Sequence, residues 1–588
     1  MLNVIHVTHE AVYKVGGIGT VLEGLINSRP YREQVGRTVL VCPLFYPENT
    51  ERLGPGGIIE YSSLDGICEG PYARAFQQIE HEFNVHLVYG RRPLEDGPTA
   101  RRSLCEVLLV DLRGINQDRL NYLKSRLWDR YGLQSDHFQH IWEYEQYVQV
   151  AAPVVPAMEA MRLAGDDQPA VVFAHEFMGL PTALALAAHN PNRYRTLFHA
   201  HEAAPIRRIV EAHPGHDVMF YNAMALGRRE GATLDDVFGS QADYFKYAVV
   251  NTAPYCDAVL AVGHHIPHEL EFQNAAFADV NVELAYNGVP IGQVSLDERK
   301  ASKEHLRDYC AAMLGWRPTY VFTHVTRLAV SKALWRDMDV LEAMEPALAA
   351  RGETAVMLVL STELPSRPAG DIRRMESEWD WPLAHREGPP DLTGGEARYY
   401  TRVQSFNARA RHSHLIYINQ FGFSRERCGN RVPESVEFQD LRCGTDAEFG
   451  LSLYEPFGIS PLEPLTFGAI CVISTSCGCA GFVKQVGGRR AMPNVILADY
   501  IQAAGKMKTA EEALAIGKPQ RREAERKVAV EVARVLMDRL PHTVAQERDL
   551  LRTGYGLARR MSWDVVAETL IFPAIQKACA RRLLHVVA

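Results

Sequence analysis

Residues Leu2–Ser28 read LNVIHVTHEAVYKVGGIGTVLEGLINS. An apolar run rich in β-branched residues comes first, a glycine-containing turn follows, and a helical pattern closes the stretch. This order is the first half of a βαβ unit, in which helices join parallel strands. Further strand-like runs, RTVLVCPLF, PAVVFAHE, YRTLFHAHE and CDAVLAVGH, continue the alternation. The stretch therefore predicts an α/β fold with a mostly parallel sheet and helices on both faces.

The alternation of strands and helices restarts near the middle of the chain. A charged helical segment, LDERKASKEHLRDYCAAMLGW, precedes a second strand series that begins with TYVFTHVTRL. A chain of 588 residues is long enough for two or more domains. We predict two successive Rossmann-like domains, 1–296 and 297–560, with a polar insertion at about 365–413 and an amphipathic helix at 561–588.

The composition argues against several classes of partner. Hydrophobic residues make up 47% and charged residues 23%, and the net charge is −8, which gives no support for binding nucleic acid or anionic membranes. No apolar run reaches about 18 residues, so no membrane span is expected. The 11 cysteines show no framework spacing and the first residues already read as a strand. We therefore expect reduced thiols, no signal peptide and a cytoplasmic location.

The segment KVGGIG, Lys14–Gly19, lies between the first strand and the first helix. Adjacent glycines let backbone amides approach a ligand, and the following helix N-terminus favours an anion. The alternative is a glycine turn without a ligand, because the spacing differs from G-x-G-x-x-G. Later in this half, Asn287 and Gly288 follow a strand as a turn near the domain boundary.

Histidines and acids stand at two other strand ends of the first half. They are His175, Glu176, His199, His201 and Glu202, in VVFAHE and TLFHAHE. Such clusters raise a zinc hypothesis, but none matches H-E-x-x-H, so we predict no metal site. Cys477 and Cys479 could form a redox or metal pair, yet no second pair at matching spacing is evident.

Charged residues also follow two strands of the second half. Arg327 and Lys332 lie after TYVFTH, and an Arg fork beside a Lys point charge suits a diphosphate. Glu455 follows FGLSLY, and Glu463 lies on a short predicted helix after it. Carboxylates suit sugar and ribose hydroxyls because they accept hydrogen bonds. Roles without a ligand are the alternatives. Arg327 and Lys332 could be solvated surface cations, Glu455 a cap, and Glu463 an acid on a helix surface.

Five motifs, in this order, resemble those of retaining GT-B glycosyltransferases, and most of all the glycogen and starch synthases. The motifs are KVGGIG, HAHE, YNGVP, R-L-x3-K and E-x7-E. Longer segments that resemble the family are THEAVYKVGGIGTVLEGL, RLAVSKALWRDMDVLEAM and YEPFGISPLEPLTFGA. The resemblance covers nearly the whole chain. It implies a GT-B fold of two Rossmann-like domains with an interdomain cleft. It also implies that the C-terminal helix crosses back to complete the first domain.

The resemblance implies ligand contacts in the second domain. Arg327 and Lys332 would hold the nucleotide diphosphate, Glu455 the sugar hydroxyls, and Glu463 the ribose. The turn at Ser476, Cys477 and Gly478 would offer backbone amides to the sugar or phosphate.

In the first domain the resemblance implies that Lys14, Gly16 and Gly17 line the donor cleft. His201 would lie near the reacting carbon and orient the sugar, and Asn287 in YNGVP would belong to the substrate-binding residues.

The implied reaction transfers glucose from ADP- or UDP-glucose to the non-reducing end of an α-1,4-glucan with retention of configuration. Attack would come from the front face, and the leaving phosphate would take the acceptor proton. Pre-set cations would stabilise the leaving diphosphate, so we expect no cofactor and no metal requirement. The sequence leaves homo-oligomer formation open.

Departures from the family pattern leave two further interpretations open. Phe457 follows Glu455-Pro456, where synthases that use ADP-glucose read Glu-Pro-Cys-Gly, and SCGCAGF replaces their Thr-Gly-Gly turn. The donor nucleotide is therefore open. One interpretation is a retaining GT-B transferase with another donor and a small-molecule, lipid or protein acceptor. The second is a non-catalytic glycan-binding scaffold.

Overall fold

The computed structural model describes residues 1–14, 16–94, 103–165 and 168–586, with side chains as far as residue 580. Val15 of KVGGIG and the last two residues of the predicted helix 561–588 lie outside the described residues. The chain forms two compact units. The first comprises Met1–Ile206, Gly231–Gly288 and Trp563–Ala588, and the second comprises Arg207–Glu230 and Val289–Ser562.

A nine-stranded sheet forms the centre of the first unit. Its strands are β1 Leu2–Val7, β2 Val35–Pro43, β3 Ile58–Ser62, β4 His86–Pro93, β5 Leu104–Asp111, β6 Ala170–His175, β7 Tyr194–Ala200, β8 Ala258–Ala261 and β9 Val282–Leu284. They lie in the order β3-β4-β5-β2-β1-β6-β7-β8-β9. The edge pairs β3–β4 and β4–β5 are antiparallel and the other pairs are parallel. The central strands are apolar and buried, as helices on both faces require.

Helices surround this sheet. They span Ile18–Asn27, Arg29–Gln34, Ala73–Phe83, Gln117–Tyr131, Ser135–Phe138, Trp142–Ala160, Glu176–His189, Leu234–Phe238, Phe245–Val250, Ile266–Gln273, Ala276–Asp279, Trp563–Val566 and Phe572–Val586, with a π-helical turn at Ala567–Ile571. In the described ranges of the whole chain, no helix combines the length and apolarity that crossing a membrane requires.

The second unit is built on a six-stranded, wholly parallel sheet. Its strands are β10 Tyr320–Val325, β11 Ala355–Leu360, β12 Ser413–Ile418, β13 Ala447–Gly450, β14 Ile470–Ser474 and β15 Val495–Ala498, in the order β12-β11-β10-β13-β14-β15. This is the Rossmann order, with the first strand beside the fourth. Its helices span Ile206–Ala212, His216–Arg229, Leu296–Leu314, Trp335–Arg351, Ala369–Trp379, Gly394–Asn407, Arg425–Cys428, Phe438–Gly444, Cys479–Gly487, Tyr500–Ala503, Ala510–Leu514, Lys518–Arg539 and Val544–Arg560.

Each sheet has one point where the strand order reverses. In the first unit it lies between β1 and β6, and in the second between β10 and β13. Open α/β sheets bind ligands outside the carboxyl ends of their strands at this point, because the flanking loops diverge there. The loops after β1, β6, β10 and β13 are therefore where ligand contacts are expected.

The predicted α/β class with two parallel-sheet domains is confirmed. The units meet in sequence at 288/289 and 562/563, and the sequence analysis placed these boundaries at 296/297 and 560/561. Residues 207–230, which the sequence analysis assigned to the first domain, belong to the second unit. Residues 365–413 contain the helices Ala369–Trp379 and Gly394–Asn407 and join β11 to β12, so this segment is the crossover between two neighbouring parallel strands.

A buried ionic cluster fixes residues 207–230 in the second unit. Arg336 is fully buried and pairs with Asp217 at 2.7 Å and with Glu525 at 3.1 Å. Its guanidinium carbon lies 3.7 Å from the centroid of the Tyr500 ring. Arg336 also donates to the carbonyl of Leu451, at the end of β13, at 3.3 Å. The cluster thus joins three distant parts of the chain next to the loop that carries Glu455.

We predict that Arg336→Met destabilises the second unit by about 3–5 kcal/mol, because Asp217 and Glu525 would keep buried charges without their partner. Urea denaturation measures the change. The control Arg534→Met removes an exposed ion pair with Glu531, at 2.7 Å, and should cost less than about 1 kcal/mol. Equal effects of the two substitutions would contradict the role of the buried cluster.

Candidate functional site

Backbone hydrogen bonds hold together the loops after β10 and β13. The carbonyl of Ser331 accepts the amide of Leu453 at 2.7 Å and that of Tyr454 at 3.4 Å. Because β10 and β13 are parallel neighbours, both loops leave the same edge of the sheet. The side chains that flank these contacts are therefore brought together at the point where the strand order reverses.

Lys332 and Glu455 form an ion pair at this edge. Lys332 ends a 3₁₀ turn, Val330–Lys332, and the next residue, Ala333, has a φ of +49° that turns the chain sharply. The side chains of Lys332 and Glu455 are 10% and 18% exposed, so the pair is largely shielded from solvent. The sequence analysis expected both residues at strand ends, and the structure brings them into contact.

Arg327 lies on the same loop after β10 and is exposed. Within the described ranges it forms no ion pair. The structure therefore places both predicted cations after one strand and pairs only Lys332 with the predicted carboxylate.

The turn after β14 supports the backbone of Glu455. The Gly478 amide donates to the Glu455 carbonyl at 2.8 Å, and the Ser476 hydroxyl donates to the Ser452 carbonyl at 2.7 Å. The amides of Ser476 and Cys477 also have protein partners, at 3.2 and 3.0 Å. Of these three amides, predicted to face a sugar or phosphate, that of Gly478 holds the turn against the loop of Glu455, and those of Ser476 and Cys477 bond to Ser474 within the turn. A hydrogen bond with Cys479 and the charge of Lys332 lower the pKa of Cys477.

Glu463 is held by an arginine that the sequence analysis did not single out. It lies on the 3₁₀ helix Ser460–Phe467, and its carboxylate is 3.1 Å from Arg442. The same guanidinium pairs with the buried Glu448 at 3.0 Å. Burial raises the pKa of Glu463, and the charge of Arg442 opposes the shift. Glu463 is thus fixed in direction but keeps a partly exposed side chain.

The glycine segment after β1 binds an anion of the chain itself. The buried Glu10 carboxylate accepts the Gly19 amide at 2.8 Å, in the first turn of the helix Ile18–Asn27. A Cβ atom at Gly19 would lie 2.9 Å from Glu10 Oε2, so only glycine allows this approach. Burial alone would raise the pKa of Glu10, but hydrogen bonds from His9 and from the amides of Gly16 and Gly19 lower it.

The ligand-anion site predicted for the amides of KVGGIG is therefore taken by Glu10, because a helix N-terminus stabilises any carboxylate that reaches it. Lys14, predicted to face a ligand, is exposed and pairs with Glu23 at 2.6 Å. Gly17 is exposed at the N-cap of the helix. Asn287, after β9, is buried, and its Oδ1 atom has no hydrogen-bond partner among the described residues.

Four histidines gather where the strand order of the first unit reverses. His175 ends β6, while His199 and His201 lie at the end of β7, and these three, which we term the histidine cluster, have ring nitrogens within 4.8 Å of one another. His175 Nδ1 is 3.0 Å from His201 Nε2, and His175 Nε2 is 2.9 Å from His6 Nδ1. Burial lowers the pKa of His6 and His199 to about 3, and that of the other two well below its usual value.

A strained acid adjoins the histidine cluster. Glu176 has a φ of +57°, unusual for a residue with a Cβ atom, and its carboxylate accepts the Glu202 amide at 2.6 Å. Burial, together with the nearby Glu202 carboxylate, raises the pKa of Glu176 to about 8. The acids and histidines that the sequence analysis noted at two separate strand ends thus form one group, in which His175, Glu176 and His199 are buried and His201 and Glu202 are partly buried.

No protein-family model matches the sequence, and no curated protein matches it. Solved structures do match. The catalytic domain of starch synthase IV from Arabidopsis thaliana, bound to ADP and acarbose, is 12% identical over 98% of this chain and 99% of that chain, with a TM-score of 0.51. At this identity the likeness shows the fold, which is that of the GT-B glycosyltransferases.

Two more similar structures have lower scores. One is the E. coli structure described as trehalose-6-phosphate bound with UDP-2-fluoro glucose, at 12% identity over 97% of this chain and 98% of that chain, with a TM-score of 0.47. The second is the UDP-forming α,α-trehalose-phosphate synthase from Burkholderia vietnamiensis, at 12% identity over 99% of each chain, with a TM-score of 0.47.

We predict that Glu10→Gln destabilises the first unit by about 1–3 kcal/mol, because the neutral amide loses charge-assisted hydrogen bonds at the helix N-terminus. Urea denaturation again measures the change. Lys14→Gln is the matched control on the same loop, and loss of its exposed ion pair should cost less than about 1 kcal/mol. A control that destabilises as much as Glu10→Gln would contradict the proposed anchoring by Glu10.

Proposed function

We propose that this protein is a retaining glycosyltransferase that uses a nucleoside diphosphate sugar as donor. The observation that carries the proposal is the Lys332–Glu455 pair, placed where the strand order of a Rossmann sheet reverses. A diphosphate with a sugar attached needs a cation for its phosphates and an acceptor of hydrogen bonds for its hydroxyls. The GT-B fold, shared with a starch synthase solved with ADP, agrees with this ligand class.

Lys332 and Arg327 are proposed to hold the diphosphate. Lys332 is paired with Glu455, so its ammonium is held at the edge of the sheet. Arg327, exposed on the same loop, can add a planar fork to a phosphate. Fixed cations stabilise the negative charge that develops on a departing diphosphate, and we propose that they do so without a metal ion or cofactor.

Glu455 is proposed to accept hydrogen bonds from the donor sugar, and Glu463 from the ribose. Glu463 suits this role because Arg442 holds its carboxylate in one direction while part of the side chain stays exposed. Lys14, Gly17, His201 and Asn287 are proposed as further donor contacts. The amides of Gly16, Ser476, Cys477 and Gly478 have hydrogen-bond partners within the chain, so no donor contact is proposed for them.

For the acceptor we propose the non-reducing end of an α-1,4-glucan, on the motifs shared with glycogen and starch synthases. The alternative is a different donor with a small-molecule, lipid or protein acceptor. The competing function is that of a glycan-binding scaffold without catalysis. We propose a cytoplasmic location, which the free cysteines favour.

Lys332→Met is expected to lower kcat by about 10²–10³, because it removes a fixed cation that faces the leaving diphosphate. Arg327→Gln should lower kcat less, since its side chain is not fixed by a partner. Release of ADP or UDP from the nucleotide-glucose, with glycogen present, measures the rate. Lys527→Met, on an exposed helix face of the same unit, is the control and should keep full activity. Full activity of Lys332→Met would refute the donor site.

Donor and acceptor are identified by two panels. ADP-glucose, UDP-glucose and GDP-mannose are compared by thermal shift, since a bound ligand raises the melting temperature of wild-type protein. The shift should be smaller for Lys332→Met and unchanged for Lys527→Met. Transfer of labelled glucose to glycogen supports the glucan acceptor, whereas transfer only to glucose 6-phosphate replaces it with a small sugar. Binding of glycogen with no transfer from any donor would favour a scaffold.

A further inference from the structure

His199 is a buried polar side chain without partners. It is 1% exposed, and neither ring nitrogen makes a hydrogen bond within the described part of the chain. A buried imidazole carries one donor and one acceptor, both of which would be solvated in the unfolded chain. Leaving both unpaired is costly, and native proteins seldom do so without a reason such as a missing ion or water.

The surroundings of His199 supply two further imidazoles. Its ring centroid lies 4.4 Å from that of His201 and 5.3 Å from that of His175. A tetrahedral ion with metal–nitrogen distances of about 2.0–2.1 Å holds its ligand nitrogens about 3.3 Å apart. His175 Nδ1 and His201 Nε2, at 3.0 Å, are already near that separation, and the ligand atoms of all three residues lie within 4.8 Å.

A hydrogen-bonded chain behind His175 fixes the ring as a ligand requires. His175 Nε2 contacts His6 Nδ1 at 2.9 Å, and His6 Nε2 contacts the Tyr31 hydroxyl at 3.0 Å. Metal-bound histidines commonly donate their other ring N–H to such a partner, which sets the tautomer and leaves the facing nitrogen free to bind the ion. His6 and Tyr31 are both buried, so this support is rigid.

A buried acid lies close to the histidine cluster. Glu176 follows His175 directly, and its buried carboxylate is held by the Glu202 amide at 2.6 Å. A divalent ion would satisfy the nitrogens of His199, which have no hydrogen-bond partner in the described residues. Three neutral imidazoles with no thiolate suit Zn²⁺ and other late divalent ions, and leave a fourth position for water.

We propose that His175, His199 and His201 form a three-histidine Zn²⁺ site in the first unit, supported by His6 and Tyr31. This site shares His201 with the proposed donor contacts and includes neither Lys332 nor Glu455. It explains why a fully buried imidazole has no partner, which a simple chain of hydrogen-bonded histidines does not.

Co²⁺ is the probe, because four-coordinate Co²⁺ absorbs strongly in the visible and its spectrum is independent of any enzyme activity. The full chain, treated with a chelator and carrying Cys68→Ser to remove the exposed thiol, is titrated with Co²⁺. We expect visible bands that saturate at one ion per chain and vanish when Zn²⁺ displaces the cobalt. No bands, or saturation at several ions without Zn²⁺ competition, would overturn the proposal.

Three variants separate the site from binding elsewhere. His199→Leu should weaken Co²⁺ binding by more than about 100-fold, and His6→Leu by about 10–100-fold. The control His268→Ala, at an exposed histidine beside His264 and His265, should leave binding unchanged. Co²⁺ bands that persist in His199→Leu or disappear in His268→Ala would refute the assignment.

Melting temperatures provide a second readout. Because the His199 nitrogens lack partners, metal-free His199→Leu should melt at or above the temperature of the metal-free parent. Zn²⁺ should raise the melting temperature of the parent and not that of His199→Leu. A metal-free variant that melts well below the parent would show that His199 has a structural partner and would overturn the proposal.

Zn²⁺ at the histidine cluster should also affect catalysis, an expectation that rests on the proposed function. His201 cannot bind Zn²⁺ through Nε2 and use that nitrogen to orient a donor sugar, so Zn²⁺ should inhibit transfer in the parent and not in His199→Leu. Co²⁺ binding without Zn²⁺ inhibition would leave the metal site standing and remove His201 from the donor site. If the parent shows Co²⁺ bands but is inactive toward every donor, the proposed glycosyltransferase function is refuted and the metal site is not.

Discussion

The ion pair between Lys332 and Glu455 is the contact on which the interpretation of the second unit depends. It exists because β10 and β13 are parallel neighbours, and because the Ser331 carbonyl holds the two following loops together. In the proposed function, a diphosphate takes the ammonium of this pair and leaves the carboxylate to accept hydrogen bonds from sugar hydroxyls. The Arg336 cluster, through the Leu451 carbonyl, and the Gly478 amide, through the Glu455 carbonyl, fix the backbone of the loop that carries Glu455.

The loops after the first strand of each sheet, β1 and β10, differ in how their charged groups are paired. In the first unit, the helix N-terminus after β1 is satisfied by Glu10, so its amides are committed to the fold. In the second unit, the side chains after β10 include the exposed Arg327 and the partly open Lys332–Glu455 pair. The second unit thus presents cations after β10, whereas the first unit contains buried imidazoles, among which the nitrogens of His199 have no hydrogen-bond partner in the described residues.

Local patterns in the sequence predicted many of the strands, several helices and the positions of Arg327, Lys332 and Glu455 after strands, because apolar periodicity and glycine turns are short-range signals. They could not predict which acids would become partners. No sequence motif marks Glu10, which acquires its role only when the Gly19 amide of the following helix binds its carboxylate. No motif marks Arg442, the partner of Glu463, either. Asp217 lies far in sequence from Arg336, so the place of residues 207–230 depends on a long-range contact that no local pattern carries.

A crystal structure of the full chain with ADP or UDP tests the central claim most directly. We expect phosphate oxygens within hydrogen-bonding distance of Lys332 Nζ, at the carboxyl ends of β10 and β13. A nucleotide bound elsewhere, with the Lys332–Glu455 pair unchanged, would contradict the claim.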